Sequence, residues 1–194
     1  LAANGYSCPN GNCMGMDFYS NELFSNSYIS NNWTHWILVY NANTLERKIY
    51  QSEQIVANAI TSSSYTGNLD LIIGANGMVS FFNGNIDDFS IWNIPLSELE
   101  IQQYLDCELT GIEAGLVGYW NFEEGSGTTA FDQTANGNDG TINGATYSID
   151  TPEQSCVGCI DPVACNYIPY ATVDDGSCEY ITPVDLGEDI ATCD

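Results

Sequence analysis

The chain has 194 residues, and its 26 acidic residues against two basic ones give a formal net charge of −24. That balance excludes nucleic acid as a partner, since nothing could neutralise the phosphates, and it opposes docking on anionic lipid. No stretch approaches the roughly 18 apolar residues of a membrane span, so no membrane insertion is expected.

Eight cysteines in an acidic chain point to an oxidising, extracellular location, secreted or attached to a cell surface. Salt or calcium would relieve the self-repulsion of such a surface. The sequence starts at Leu1 without a signal-peptide pattern, which reads as an internal start in a longer protein. Abundant Gly, Asn, Ser, Thr and aromatics in short alternating runs favour an all-β class.

In chain order, Cys8 and Cys13 flank Pro-Asn-Gly-Asn, which is turn chemistry. A disulfide there would close a hairpin tip and contribute about 2 kcal/mol; two cysteines alone are too few for zinc. Trp33–Tyr40 is the clearest strand, apolar enough to expect burial on both faces. It holds the single histidine, His35, expected as a hydrogen-bonded core or rim residue rather than a catalytic base. Asn32-Trp33-Thr34 is an N-glycosylation sequon. Arg47–Val56 reads as a bent strand or hairpin, although Gln51–Gln54 lacks the glycine usual in such a turn. A polar loop at Ser62–Gly67 leads to an expected buried strand, Leu69–Ala75, and an Asn76-Gly77 turn.

Gly84–Trp92 (G-N-I-D-D-F-S-I-W) is the organising stretch. In an extended chain Asp87, Phe89 and Ile91 share one face, which puts a carboxylate at the rim of an apolar surface. With only Arg47 and Lys48 as bases, a metal ion is the natural compensation; water capping the strand end is the alternative. Pro95 then breaks the sheet. Ser97 and Glu100 form a capping box that opens a short helix to about Leu105, burying Leu99 or Ile101 together with Tyr104 or Leu105.

These segments carry a family resemblance. The W-x-H-W start of the strand at 33–40, together with Gly84–Ile101 including Asn93, Leu96, Ser97, Glu100 and Ile101, resembles laminin G-like domains of the concanavalin A-like jelly-roll group. The resemblance implies an antiparallel jelly-roll sandwich and assigns Asp87 to a structural calcium. Gly115–Tyr147 resembles the opening strands of the same family, yet it follows the closing helix. Too few residues remain for a second sandwich, so a permuted arrangement is expected, in which this segment completes the preceding sheets. Cys107 and Cys156 bracket it, and a disulfide between them would contribute about 4 kcal/mol. Calcium takes six to eight oxygens. Asp87, Glu124 and Asn143 are the side-chain candidates, with Glu123 as runner-up and the Gly125 carbonyl nearby.

Residues 158–180 resemble a short G-C-x-D-P-x-A-x-N-Y…D-D-G-S-C module of large secreted bacterial surface proteins. So short a segment needs cross-links, and Cys159–Cys178 is the favoured pair. The rival is a four-thiolate zinc site of Cys156, Cys159, Cys165 and Cys178. Asp161, Asn166, Asp174 and Asp175 are candidates for a second calcium, or simply turn residues. The C-terminal V-D-L-G-E-D-I-A-T-C-D resembles the first strand of an immunoglobulin-like repeat, leaving Cys193 and Cys165 without expected partners. The expected division is therefore a jelly roll over 1–156 with part of its N-terminal side missing, a cysteine-rich module over 157–181, and the start of another domain over 182–194.

No catalytic constellation is visible. Asp87-Asp88, Glu98/Glu100 and Glu123-Glu124 lack the strand spacing of a two-carboxylate glycosidase, so no enzyme is expected. The leading expectation is a calcium-stabilised adhesion module recognising glycan or a surface protein, with Trp33, Tyr65, Trp92 and Tyr119 as candidate stacking platforms. The alternatives are a spacer or fibre subunit touching only neighbouring domains, and an accessory module of a secreted hydrolase.

Overall fold

Alternation along short strands builds most of this structure, and one charged strand lies at its centre. The computed structural model describes residues 13–17, 22–62, 64–65, 67, 70–76, 80–105, 107–152, 156–168 and 171–181. Expectations for Cys8, Leu69, the Asn76-Gly77 turn and residues 182–194 fall wholly or partly outside them. The chain divides into two compact units, residues 1–105 with 109–152, and residues 106–108 with 153–194.

In the larger unit, β1 (Cys13–Asp17) and β2 (Glu22–Tyr28) pair antiparallel, with a bulge between Cys13 and Gly15. β3 (Trp36–Asn41), β4 (Glu46–Gln51) and β5 (Gln54–Ile60) form a three-stranded antiparallel sheet in that order. The β1–β2 hairpin packs on it through β4 and β5. Side chains alternate along β4. Arg47 and Ile49 are buried on one face, and the Arg47 guanidinium donates to the Met16 carbonyl at 3.4 Å. Glu46, Lys48 and Tyr50 take the other. β3 is half-buried throughout and pairs only with β4 among the described residues, so the burial expected of this run is not reached; the buried positions of the sheet, Arg47, Ile49 and Tyr50, lie on β4. β3 lies at the edge of this three-stranded sheet.

The β4–β5 turn works without glycine because Ser52 takes the left-handed conformation, φ +51°. Among the described residues the buried strand expected at Leu69–Ala75 is not formed: Leu71 and Ile72 are exposed, and the pairing seen there is β6 (Ala75–Asn76) with β7 (Ser80–Phe81). β8 spans only Phe89–Trp92. Asp88, at φ +49°, interrupts regular alternation just before it, so the strand periodicity that linked Asp87 to Phe89 and Ile91 does not extend back to Asp87.

Helix α1 (Glu98–Leu105) starts with the expected capping box. Glu100 accepts from the Ser97 amide and hydroxyl, both at 2.7 Å, and the Glu100 amide donates back to Ser97 Oγ at 3.3 Å. Ile101 is its buried residue and Leu99 is exposed. Tyr104 stacks on Trp92 with centroids 5.1 Å apart.

β9 (Leu116–Trp120) pairs antiparallel with β8, Phe89 opposite Trp120 and Ile91 opposite Gly118. The late segment thus joins the sheets that precede it, and its Tyr119 and Trp120 are core residues. β10 (Thr129–Ala130) and β11 (Gly140–Thr141) form a small hairpin beyond it.

The smaller unit is built on cross-links. Cys107–Cys156 and Cys159–Cys178 are disulfides, as expected, with sequence separations of 49 and 19. β12 (Val157–Gly158) and β13 (Val173–Asp174) pair in parallel. Cys165 is disulfide-bonded too, which corrects the expectation that it lacks a partner, and so, separately, is Cys13. With Cys156, Cys159, Cys165 and Cys178 all oxidised, the zinc alternative has no thiolates left.

Candidate functional site

Asp87 and Glu124, two of the acids proposed for calcium, accept from protein donors. Asp87 Oδ1 accepts from the Asp88 amide at 3.2 Å, and Asp88 accepts from the buried Tyr119 hydroxyl. Glu124 takes the Phe131 amide at 2.7 Å on one oxygen and the Tyr147 hydroxyl at 2.9 Å on the other. Asn143 donates to the Thr141 carbonyl at 3.4 Å. Glu123 is exposed, and its amide donates to Asn121. No described hydrogen bond joins Asp87 to Glu124 or Asn143. Among the described residues no group of three or more His, Cys, Asp or Glu could hold a metal ion.

In the smaller unit the same residue types close turns. Asp161 accepts from the Val163 amide at 2.9 Å and the Tyr180 hydroxyl at 2.8 Å. Asp174 and Asp175 accept from the amides of Gly176 and Ser177, each two residues on. Asn166 bridges the Ser177 carbonyl and the Glu179 amide at 2.7 and 2.8 Å. Such contacts are what turn-forming Asp and Asn side chains make.

The carboxylate that organises most structure escaped sequence reasoning. Asp132 Oδ1 accepts from the amides of Tyr119 and Thr134, at 3.1 and 3.0 Å. Its Oδ2 accepts from the Thr134 hydroxyl, the Asn138 amide and Asn138 Nδ2, at 2.9, 2.9 and 3.0 Å. Burial alone would raise its pKa. Donation from the Thr134, Asn138 and Tyr119 amides and the Thr134 hydroxyl outweighs this and holds the carboxyl at about 2. Asn136 and Asn138 both donate to the Val117 carbonyl at 2.9 Å, tying this loop to β9. The one signal available was Asp followed two residues later by Thr, a local turn pattern with no mark of its reach.

The aromatic candidates separate by exposure. Tyr119 is 1% exposed and belongs to the core, and Trp92 is engaged in its stack with Tyr104. Tyr65 and Trp33 are exposed, at 58% and 37%. His35 is exposed and its Nδ1 lies 3.3 Å from the Leu105 carbonyl at the helix end, the rim role expected of it. Trp33 is distinguished by its neighbours. Its indole Nε1 donates to Asp150 Oδ1 at 3.4 Å, and Asn85 Nδ2 donates to Asp150 Oδ2 at 3.0 Å. Three segments distant in sequence thus present an exposed indole beside a carboxylate and a carboxamide, all three residues exposed. Such a cluster offers an apolar plane with donors and acceptors along its edge.

Residues 16–102 match a family model described as the concanavalin A-like lectin/glucanases superfamily. No curated protein matches the sequence. Among solved structures, a crystal structure of a proposed carbohydrate-binding protein from Bacteroides ovatus superposes with a TM-score of 0.55 at 20% identity. The superposition covers 68% of this chain and 43% of that protein, so the chain spans less than half of the relative's length. At that identity the likeness speaks for fold. The antiparallel sheets and this superposition show a concanavalin A-like fold, and residues 16–102 are similar to that lectin/glucanase superfamily.

Proposed function

We propose that the larger unit is a glycan-binding module of an extracellular protein, with Trp33 as the stacking face and Asn85 and Asp150 as hydroxyl partners. The observation that carries this reading is the Trp33–Asp150–Asn85 cluster, in which an exposed indole donates from its edge to Asp150, and Asn85 donates to the other oxygen of the same carboxylate. Sugar rings have an apolar C–H face and a polar rim, and the cluster offers one surface for each. The lectin-type fold and the carbohydrate-binding description of the Bacteroides ovatus relative support the same reading. So do the oxidised cysteines, which favour a secreted setting. Attachment within a longer adhesin, and calcium as a stabilising ion, belong to this proposal as its outer layers.

A glycan array and affinity electrophoresis in soluble polysaccharides, with and without chelator, test it. At least one glycan is expected to retain the wild type. Trp33→Ala should weaken retention at least tenfold, the loss usual for a central aromatic anchor, without changing the melting temperature. Retention of no glycan at any calcium concentration would overturn the reading and favour a spacer. An unchanged Trp33→Ala would remove the site while leaving the function open.

A further inference from the structure

The chain's two bases have opposite fates. Arg47 is buried against the β1–β2 hairpin, whereas Lys48 opens on the other face of the same sheet into a cavity of about 360 Å³. That volume lies in the range of small-molecule sites. Strand register explains its lining. Val39 pairs with Lys48 and Asn41 with Glu46, so these four side chains lie on one face, with Tyr50 next along β4. The chain then returns at Pro95–Glu98, where the helix begins, and closes the other side.

Lys48 Nζ stands 3.7 Å from Glu46 Oε1 and 4.0 Å from Glu98 Oε1. Both distances exceed an N–H···O hydrogen bond, so the ammonium is attracted to both acids without bonding closely to either. A hydroxyl group fits such a gap, since it accepts from the ammonium and donates to a carboxylate at once. Two carboxylates flanking one ammonium provide that pattern twice, side by side. Neighbouring hydroxyls on a ring match it.

We propose that this cavity binds one neutral saccharide unit through a vicinal diol held between Lys48, Glu46 and Glu98. The inference extends the glycan-binding reading to a second, pocket-like subsite, distinct from the Trp33 platform. Neutral sugars are specified by charge. An acidic sugar would face two carboxylates in a chain of net charge −24, and an amino sugar would compete with Lys48 for its own partners. Val39 and Leu96 supply the apolar contact for the ring.

The test is ligand-observed NMR and calorimetry on the full chain with methyl hexopyranosides, a matched methyl uronide and a 2-amino-2-deoxy glycoside. Wild type should bind at least one neutral glycoside in the millimolar range, as befits so few contacts, and prefer it to both charged analogues. Lys48→Met and Glu98→Gln should each weaken it about tenfold or more, with the near-ultraviolet circular dichroism unchanged. Trp33→Ala should leave this binding intact while lowering polysaccharide retention, so the two sites fail independently. Absence of saturable binding by every neutral glycoside, equal binding of the uronide, or indifference to both Lys48→Met and Glu98→Gln would overturn the proposal.

Discussion

Replacing Asp132 by Asn keeps the side-chain shape and removes the charge. In the native loop the carboxylate accepts from five donors. An amide turns one accepting oxygen into a donor, so whichever way it is placed, at least two N–H or O–H groups lose their acceptor. At about 1–3 kcal/mol for each unmet donor, offset by partial access to water, the expected loss is about 3 kcal/mol. For a chain of this size that is about 6–12 °C in melting temperature. The pH dependence provides an independent sign. The folded carboxyl titrates at about 2 against an ordinary value of 3.8. Its stabilisation is therefore complete above about pH 4 and is lost as pH falls through about 2. Converted directly, the shift is about 2.4 kcal/mol, and screening at this part-exposed site reduces it to about 1 kcal/mol. Chemical denaturation followed by tryptophan fluorescence suits the measurement, because Trp120 Nε1 donates to the Asn138 carbonyl within the same loop, at 3.1 Å. The gap between wild type and Asp132→Asn should narrow by about 1 kcal/mol between about pH 4 and pH 2. Equal stability at neutral pH, or a gap that stays constant on acidification, would refute the reasoning.

Gly111 has φ +84°, and a Cβ there would lie 2.3 Å from the Gln133 carbonyl oxygen, so Gly111→Ala should cost more than about 2 kcal/mol in denaturant titration. Ser52 sits at φ +51° in a hairpin turn, and Ser52→Gly should raise stability by about 1 kcal/mol, read as a higher melting temperature. Reduction of Cys159–Cys178, which closes a 19-residue separation, should remove about 3 kcal/mol from a unit with little core. Its Val157 and Val173 methyl resonances should then collapse to unfolded positions in NMR, while those of Ile49 stay dispersed.

Local chemistry made several features legible. Ser97 and Glu100 announce a helix start because both halves of the capping box lie within one turn. Cys159 and Cys178 bound their motif, and Cys107 and Cys156 flank the late segment, so pairing followed from position. The return of Gly115–Tyr147 onto the 84–92 strand was inferred from the family likeness of both segments and from too little remaining chain for a second sandwich. What stayed hidden depends on a single dihedral or a distant partner. One left-handed residue, Asp88, breaks the alternation by which Asp87 was placed relative to the strand. Arg47 occupies an inward position of β4 that hydropathy reserves for an apolar residue, while Lys48 beside it faces out. Leu71 and Ile72 look like a buried strand in composition, yet no neighbouring strand covers them among the described residues.

Glu124 and Asp150 show how the late segment bears on recognition. Glu124 fixes Phe131 and Tyr147, and the Tyr147 hydroxyl also lies 3.2 Å from the Thr129 carbonyl. Tyr147 is three residues before Asp150, which reaches Trp33 and Asn85 across separations of 117 and 65. The carboxylate of the proposed Trp33 site thus follows a stretch of chain that Glu124 holds. A side chain on so short a tether keeps its orientation only if the chain before it is anchored, and the acid–tyrosine pair supplies that anchor. Much of this unit's acidity therefore acts on backbone amides and hydroxyls of its own loops. That is why 26 acids in one chain need not imply a large complement of metal ions.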